Sequence, residues 1–228
     1  MIVWLASYPR SGNTFLRLLC WRVFGIGSSS VYLSEDKMKK CSNEMGIVYF
    51  KDRGELREAW IKDEKPHLVK THTARNAGEV TEIAPNGKAV CVVRNGRASC
   101  ASYRHYTKDL EGRNISLKTI IEDRTASVHS LNWSDFLDAW DPLHHEDTLL
   151  IKYEDILTNP EGVIKTLSGF LGIDPLAAWN NEFEEWQKAF PQFFRKGTAN
   201  SWKEEWTPEL EEVFMRHHGQ WMRKLEYA

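Results

Sequence analysis

The chain lacks a dominant charge, a patterned set of cysteines, a membrane-length apolar run, and any internal repeat or low-complexity stretch. Its 30 Lys and Arg stand against 32 Asp and Glu, a formal charge of −2. No global basic field therefore recruits nucleic acid or an anionic membrane, and any anion site must be local. The 4 cysteines, Cys20, Cys41, Cys91 and Cys100, show no C-x-x-C spacing, which argues against a zinc site. No secretory signal precedes the first apolar run, so the thiols are expected to be free and mostly buried in a reducing, cytoplasmic compartment. The longest apolar stretch near the start, Phe15 to Phe24, is broken by Arg17 and Arg22, far short of a membrane span. What remains is a chain of 228 residues, read as one domain. That length can bury about 70% of its unfolded surface and hold an active-site cleft.

The sequence also lacks a lysine where one would be looked for. Ser7-Tyr8-Pro9-Arg10-Ser11-Gly12-Asn13-Thr14 follows the apolar run Ile2-Val3-Trp4-Leu5-Ala6 and leads into an amphipathic stretch, so the chain begins strand, tight loop, helix. Backbone N–H groups of such a loop, with the free N–H groups and dipole of the next helix, make a phosphate cradle. Aligned on the triphosphate loop G-x-x-x-x-G-K-[ST], Ser7 replaces the first Gly, Gly12 and Thr14 fit, and Asn13 stands in place of the Lys. The cation has moved to Arg10. The loop is P-loop-like, and it suits a phosphate-bearing ligand with a different reacting group.

Asn13 to Phe24 places Leu16, Leu19 and Val23 at helical spacing before Gly25 and Gly27 stop the helix. The polar stretch from Ser28 onward, with a short helix expected at Gly54 to Ile61, reads as an excursion around 28–66 that covers the site and can move. His67-Leu68-Val69-Lys70, Lys88 to Val93 and Thr148 to Lys152 are expected strands, with helical segments at Ala74 to Ile83 and Gly96 to Leu110. This alternation predicts a three-layer α/β fold with a central, mainly parallel sheet. In the second half Asn159-Pro160, Asp174-Pro175 and Thr207-Pro208 each place a capping residue before a Pro and mark three helix starts. Pro191 to Lys203 has no good period and reads as an ordered loop.

Ligands of open parallel sheets sit beyond the carboxyl ends of the strands. The strand ends here carry the Ser7–Thr14 loop, Lys70-Thr71-His72, Arg94-Asn95-Gly96-Arg97 and Tyr153-Glu154-Asp155. Arg10, Lys70, Arg94 and His72 are expected to converge into a local positive site. The first three ends lack the carboxylate that a magnesium-nucleotide site needs. Glu154 and Asp155 read as an acidic pair at a helix start.

These residues resemble the PAPS-dependent sulfotransferases, particularly the small cytosolic type, over nearly the whole chain. The family's Y-P-K-S-G-T-T-W loop is similar to Tyr8-Pro9-Arg10-Ser11-Gly12-Asn13-Thr14-Phe15. Its Arg after a strand, with a Ser eight residues later, matches Arg94 and Ser102, and its R-K-G-x-x-G-D-W-K loop is similar to Arg195 to Lys203. Lys70-Thr71-His72 and Tyr153-Glu154-Asp155 match two further motifs. Arg10 in place of Lys keeps a bidentate phosphate donor, and Phe15 in place of Trp keeps a face for adenine. The dimer motif is only partly present, as Lys203, Thr207 and Glu212, which leaves the oligomeric state open.

The resemblance implies a single sulfotransferase domain over 1–228 that moves a sulfonyl group from PAPS to a hydroxyl, or secondarily an amine, of a small-molecule or peptide acceptor. It leaves PAP, adenosine 3′,5′-bisphosphate, and needs no metal, nucleic acid or membrane. His72 would be the base, because an imidazole of ordinary pKa about 6.5 is available near neutral pH. Arg10 and Lys70, with the N–H groups of Ser11, Gly12, Asn13 and Thr14, would stabilise charge on the leaving 5′-phosphate. Arg94, Ser102, Arg195, Lys196 and the Gly197 N–H would hold the 3′-phosphate, and Phe15, Tyr153 and Phe183 would bracket the adenine. The rivals are an ATP-dependent small-molecule kinase, disfavoured by Asn13, and a non-catalytic nucleotide-binding module, disfavoured by Lys70 with His72.

Overall fold

Strand β1, Ile2–Ala6, is buried from Val3 to Ala6, as an apolar run with no polar alternation requires when both faces of a sheet are covered. In the computed structural model, which describes residues 1–30, 44–48, 65–127, 129–189, 191, 194 and 201–228, β1 is the inner strand of a six-stranded sheet. It pairs with β4, His67–Thr71, on one side and with β5, Lys88–Val93, on the other. Beyond β5 lies β6, Thr148–Lys152, and beyond β4 lie β2, Ser28–Ser30, and β3, Ile47–Val48. All five pairings are parallel, and the α/β class expected from the sequence is the one observed, with described helices following β1, β4, β5 and β6. The order β3-β2-β4-β1-β5-β6 puts the carboxyl end of β1 between those of β4 and β5, where the connections diverge and ligands of such sheets bind.

The described residues divide into two compact units, Met1–Ser7 with Gly12–Val93 and Ala139–Trp179, and Tyr8–Ser11 with Arg94–Asp138 and Asn180–Ala228. The first holds the sheet and the helix α1, Asn13–Phe24, whose Leu16, Leu18, Leu19 and Val23 are fully buried and whose end is closed by Gly25 in the left-handed region. It also holds α2, Gly78–Ile83, α6, Tyr153–Thr158, and α7, Pro160–Leu171, the last capped by the Asn159 side chain.

The second unit holds α3, Gly96–Glu111, α4, Leu117–Glu122, most of α5, Trp133–Trp140, then α8, Phe183–Ala189, and α9, Pro208–Lys224. Its core stacks Trp133, Phe214 and His218, with Trp206 edge-on to Phe214. Arg97 closes this core by meeting both carboxylate oxygens of Glu211. Among the described residues no helix is long and apolar enough to cross a membrane.

Three expectations need correction. The helix expected from Ala74 begins only at Gly78, because Ala74–Ala77 closes a turn through the Ala77 N–H to Ala74 carbonyl bond. No helix starts at Asp174-Pro175. The Leu176 and Ala177 N–H groups donate instead to the Val23 carbonyl, which gives that segment's backbone its partners without a helix. The polar Ser28-Ser29-Ser30 is a strand, and its buried Ser28 hydroxyl has a protein partner in place of water: buried Arg17 donates to Ser28 Oγ at 2.7 Å. The helix expected at Gly54–Ile61 and most of the 28–66 excursion lie outside the described residues. So does most of the loop expected at Pro191–Lys203, whose described end, Ser201–Glu205, is a short 3-10 helix.

Candidate active site

Gly12 fixes the geometry of the loop after β1. Its φ of 102° is one that residues with a side chain rarely adopt, and an added Cβ would stand 2.4 Å from Tyr153 Cδ2. The bare backbone thus lets the Tyr153 ring, 5% exposed at the end of β6, close against the start of α1. No side chain caps α1, and its first turn has no acidic residue, so its N-terminal N–H groups and dipole favour an anion there.

Asn13, at the position of the missing lysine, is buried and turned into the scaffold. Its Nδ2 donates to the Leu5 carbonyl at 2.7 Å and to Ser7 Oγ at 3.1 Å, tying the loop to the end of β1. Thr14 follows half-buried, and Phe15 is buried with its ring edge-to-face against Tyr153 at 6.1 Å and Trp179 at 5.5 Å.

His72 stands one residue beyond β4, half-buried, with Nδ1 2.6 Å from the Ser7 carbonyl oxygen. A carbonyl can only accept, so Nδ1 carries the proton and the basic lone pair of the neutral ring is on Nε2. The Ser7 N–H in turn donates to the Thr71 carbonyl, which locks the ends of β1 and β4 together. Lys70, half-buried two residues earlier, is in register with Leu5 of β1 and Ser30 of β2.

The second unit collects the remaining loop cation. Arg10 adopts a left-handed φ of 65°, an unusual conformation for a residue with a long side chain. Its Nε donates to Ser102 Oγ at 3.3 Å, and its guanidinium lies 5.3 Å from the centre of the Tyr106 ring. Ser11 Oγ meets Ser99 Oγ at 3.1 Å, both buried. Ser99, Ser102 and Tyr106 recur at helical spacing, so one stripe of α3 backs Arg10 and Ser11. Arg94, just ahead of α3, reaches the Arg10 carbonyl with Nη1 at 3.5 Å.

Within the first unit the structure brings together Ser7, Gly12, Asn13, Phe15, His72 and Tyr153, and within the second Arg10, Ser11, Arg94 and Ser102. Phe183 packs on Phe194, ring centres 5.9 Å apart, and Arg195, Lys196 and Gly197 lie outside the described residues. The sequence reading missed the Ser7 carbonyl, Ser99, Tyr106 and Trp179. Extending the helical period of α3 from Ser102 in both directions would have found Ser99 and Tyr106.

Among the described cysteines, burial pushes Cys20 and Cys100 up to about 12 and raises Cys91 further, so none of these three offers a thiolate near neutral pH. Burial likewise holds the Tyr8 phenol well above its ordinary range, with smaller contributions from Cys100 and Tyr103.

The comparison with known proteins points one way. Cytosolic sulfotransferase 8 of Arabidopsis thaliana is 27% identical over 249 residues, covering 91% of this chain and 72% of that one. Sulfotransferase 1E1 of Mus musculus is 24% identical, covering 96% and 82%. The crystal structure of mouse sulfotransferase SULT7A1 complexed with PAP shares the fold, with a TM-score of 0.68 at 20% identity over 97% of this chain and 83% of that one. The sulfotransferase domain family matches residues 2–226, so this chain belongs to that family and is a PAPS-dependent sulfotransferase.

Proposed function

We propose that the chain transfers the sulfonyl group of PAPS to an acceptor hydroxyl, or secondarily an amine, with His72 as general base, as a single domain spanning 1–228. The observation that carries this reading is the bond from His72 Nδ1–H to the Ser7 carbonyl, which leaves the basic lone pair on Nε2 at the strand end beside the phosphate loop. Cytoplasmic placement accords with the names of the cytosolic relatives and with the free, buried thiols among the described residues.

The residues present fit a nucleotide with an anionic 5′ group. The loop offers an uncapped helix start, a glycine that permits close approach, and Arg10, with no carboxylate in the first turn of α1. When bound, PAPS supplies a sulfonyl group already activated by its 5′-phosphate. Arg10, Lys70 and the N–H groups of Ser11 to Thr14 would hold that phosphate and offset the charge it gains as the bond to sulfur breaks. Arg94 and Ser102, with Arg195, Lys196 and the Gly197 N–H, would hold the 3′-phosphate, while Phe15, Tyr153 and Phe183 bracket adenine. His72 Nε2 would take the acceptor's proton. The acceptor is a small molecule or peptide presenting a hydroxyl.

Release of PAP from PAPS in the presence of 4-nitrophenol and other simple hydroxyl acceptors tests this reading. His72→Ala should lower turnover roughly 10²- to 10⁴-fold, while PAP affinity measured by calorimetry stays within a few-fold of the parent. Near-normal turnover of His72→Ala removes His72 as the base.

A further inference from the structure

The residues on either side of His72 are held by one carboxylate. Thr71 Oγ1 and Thr73 Oγ1 both donate to Glu79 Oε1, at 3.2 and 2.5 Å. Thr71 Oγ1 also accepts the Thr73 N–H at 3.0 Å, and the Thr73 carbonyl accepts Trp140 Nε1–H at 2.9 Å. The segment 71–73 is therefore pinned at both threonine hydroxyls, at the Thr73 N–H, and at two carbonyls, that of Thr73 and that of Thr71, which accepts the Ser7 N–H. Glu79 sits in the first turn of α2 at 7% exposure, in a chain whose other acidic residues among those described are more exposed. A carboxylate so buried is retained only where hydrogen bonds offset its lost hydration, and here the donors are two threonine hydroxyls rather than a cation.

Taken with the His72 geometry, this arrangement defines a chain of constraint. The pinned turn sets the direction of the His72 Cα–Cβ bond, and the Ser7 carbonyl then accepts Nδ1–H. Were the turn free to rotate, the ring could move away from Ser7, and the two neutral tautomers of imidazole would both be populated. The basic lone pair would then be on Nε2 for only part of the time.

We propose that Glu79 is a positioning residue for His72: by accepting from Thr71 and Thr73 it holds the imidazole in the tautomer with its proton on Nδ1. The proposal deepens the reading of His72 as base and rests on it for its catalytic meaning, although its test requires no turnover. The nearest charged group to the turn in sequence, Arg75, is engaged elsewhere, donating to Thr148 Oγ1 at 2.8 Å and lying 5.4 Å from the Trp140 ring centre.

The test is nitrogen-15 correlation spectroscopy of the full chain labelled at histidine, at a pH where imidazole is neutral, with the His72 signals identified by their loss in His72→Ala. In the parent protein the two ring nitrogens of His72 should give widely separated signals, with the proton on Nδ1. In Thr73→Val, which keeps the shape of the side chain, and in Glu79→Ala, both signals should move toward a common averaged position. Glu79→Gln, which keeps a carbonyl oxygen for the two hydroxyls, should restore the separation. Unchanged His72 signals in Thr73→Val and Glu79→Ala overturn the proposal, as does Glu79→Gln behaving like Glu79→Ala while folded. Thr73→Val decides the matter if Glu79→Ala does not fold. Near-normal turnover of His72→Ala removes the base reading and leaves the tautomer result standing, so the two failures are separate.

Discussion

His218 supplies a stability term that acid should remove in a calculable way. The ring is fully buried between Trp133 and Phe214, with Nε2–H donating to the Ile121 carbonyl at 3.1 Å and Nδ1 accepting from Ser134 Oγ at 2.8 Å. Burial pushes its pKa down from 6.5 to about 4; the Ile121 carbonyl works against that shift and neighbouring His217 adds to it. Because the folded value is the lower one, the unfolded chain takes up a proton first as pH falls. The folded state should lose stability between about pH 6.5 and about pH 4, with no further loss from this group below that. Over the full window this amounts to about 3 kcal/mol, of which less than half is lost by pH 5.5. Urea unfolding followed by tryptophan fluorescence, on the parent and on His218→Gln at several pH values between 7.5 and 4.5, isolates the term. Glutamine can donate to Ile121 and accept from Ser134 but cannot titrate, and other ionising groups cancel in the comparison. The parent's advantage at pH 7.5 should shrink by about 2–3 kcal/mol at pH 4.5. An advantage constant across that range would show that His218 titrates in the folded protein as it does in the unfolded chain, and would refute the reasoning.

Two further outcomes follow from the loop. Gly12→Ala places a Cβ 2.4 Å from Tyr153 Cδ2 at a φ of 102°. Overpacking and left-handed strain together should cost about 2–4 kcal/mol in urea unfolding. Tyr153→Leu in the same chain should recover only the part due to the clash, and full recovery would deny the strain. Arg94→Ala should weaken PAP far more than adenosine 5′-monophosphate in calorimetry, since only PAP carries the 3′-phosphate; equal weakening would place Arg94 elsewhere.

Where apolar residues ran without interruption, the sequence was legible residue by residue. Lys88–Val93 and Thr148–Lys152 have the expected bounds for that reason, and Asn13–Phe24 has them because helically spaced apolar residues and the terminal Gly25 acted together. The strand Ser28–Ser30 was not legible, since its burial depends on a hydrogen bond from Arg17, remote in pattern though near in sequence. The cap-and-proline signal at Asp174-Pro175 was sound as local chemistry and lost to a tertiary partner, the Val23 carbonyl. At the candidate site the residue types that could bind or react were visible at the strand ends. Their supports were not: the Ser7 carbonyl is backbone, and Glu79 lies one helix away from the histidine whose neighbours it holds.

Asn13 makes the choice of donor hard to revise. Its amide holds the Leu5 carbonyl and the Ser7 hydroxyl, and the Ser7 carbonyl accepts a hydrogen bond from His72 Nδ1–H. An Asn13→Lys change would restore the residue expected of a triphosphate loop while removing the amide that braces Ser7, the residue that orients the imidazole. The position that sets this loop apart from a triphosphate loop and the orientation of the His72 ring thus share one short piece of backbone.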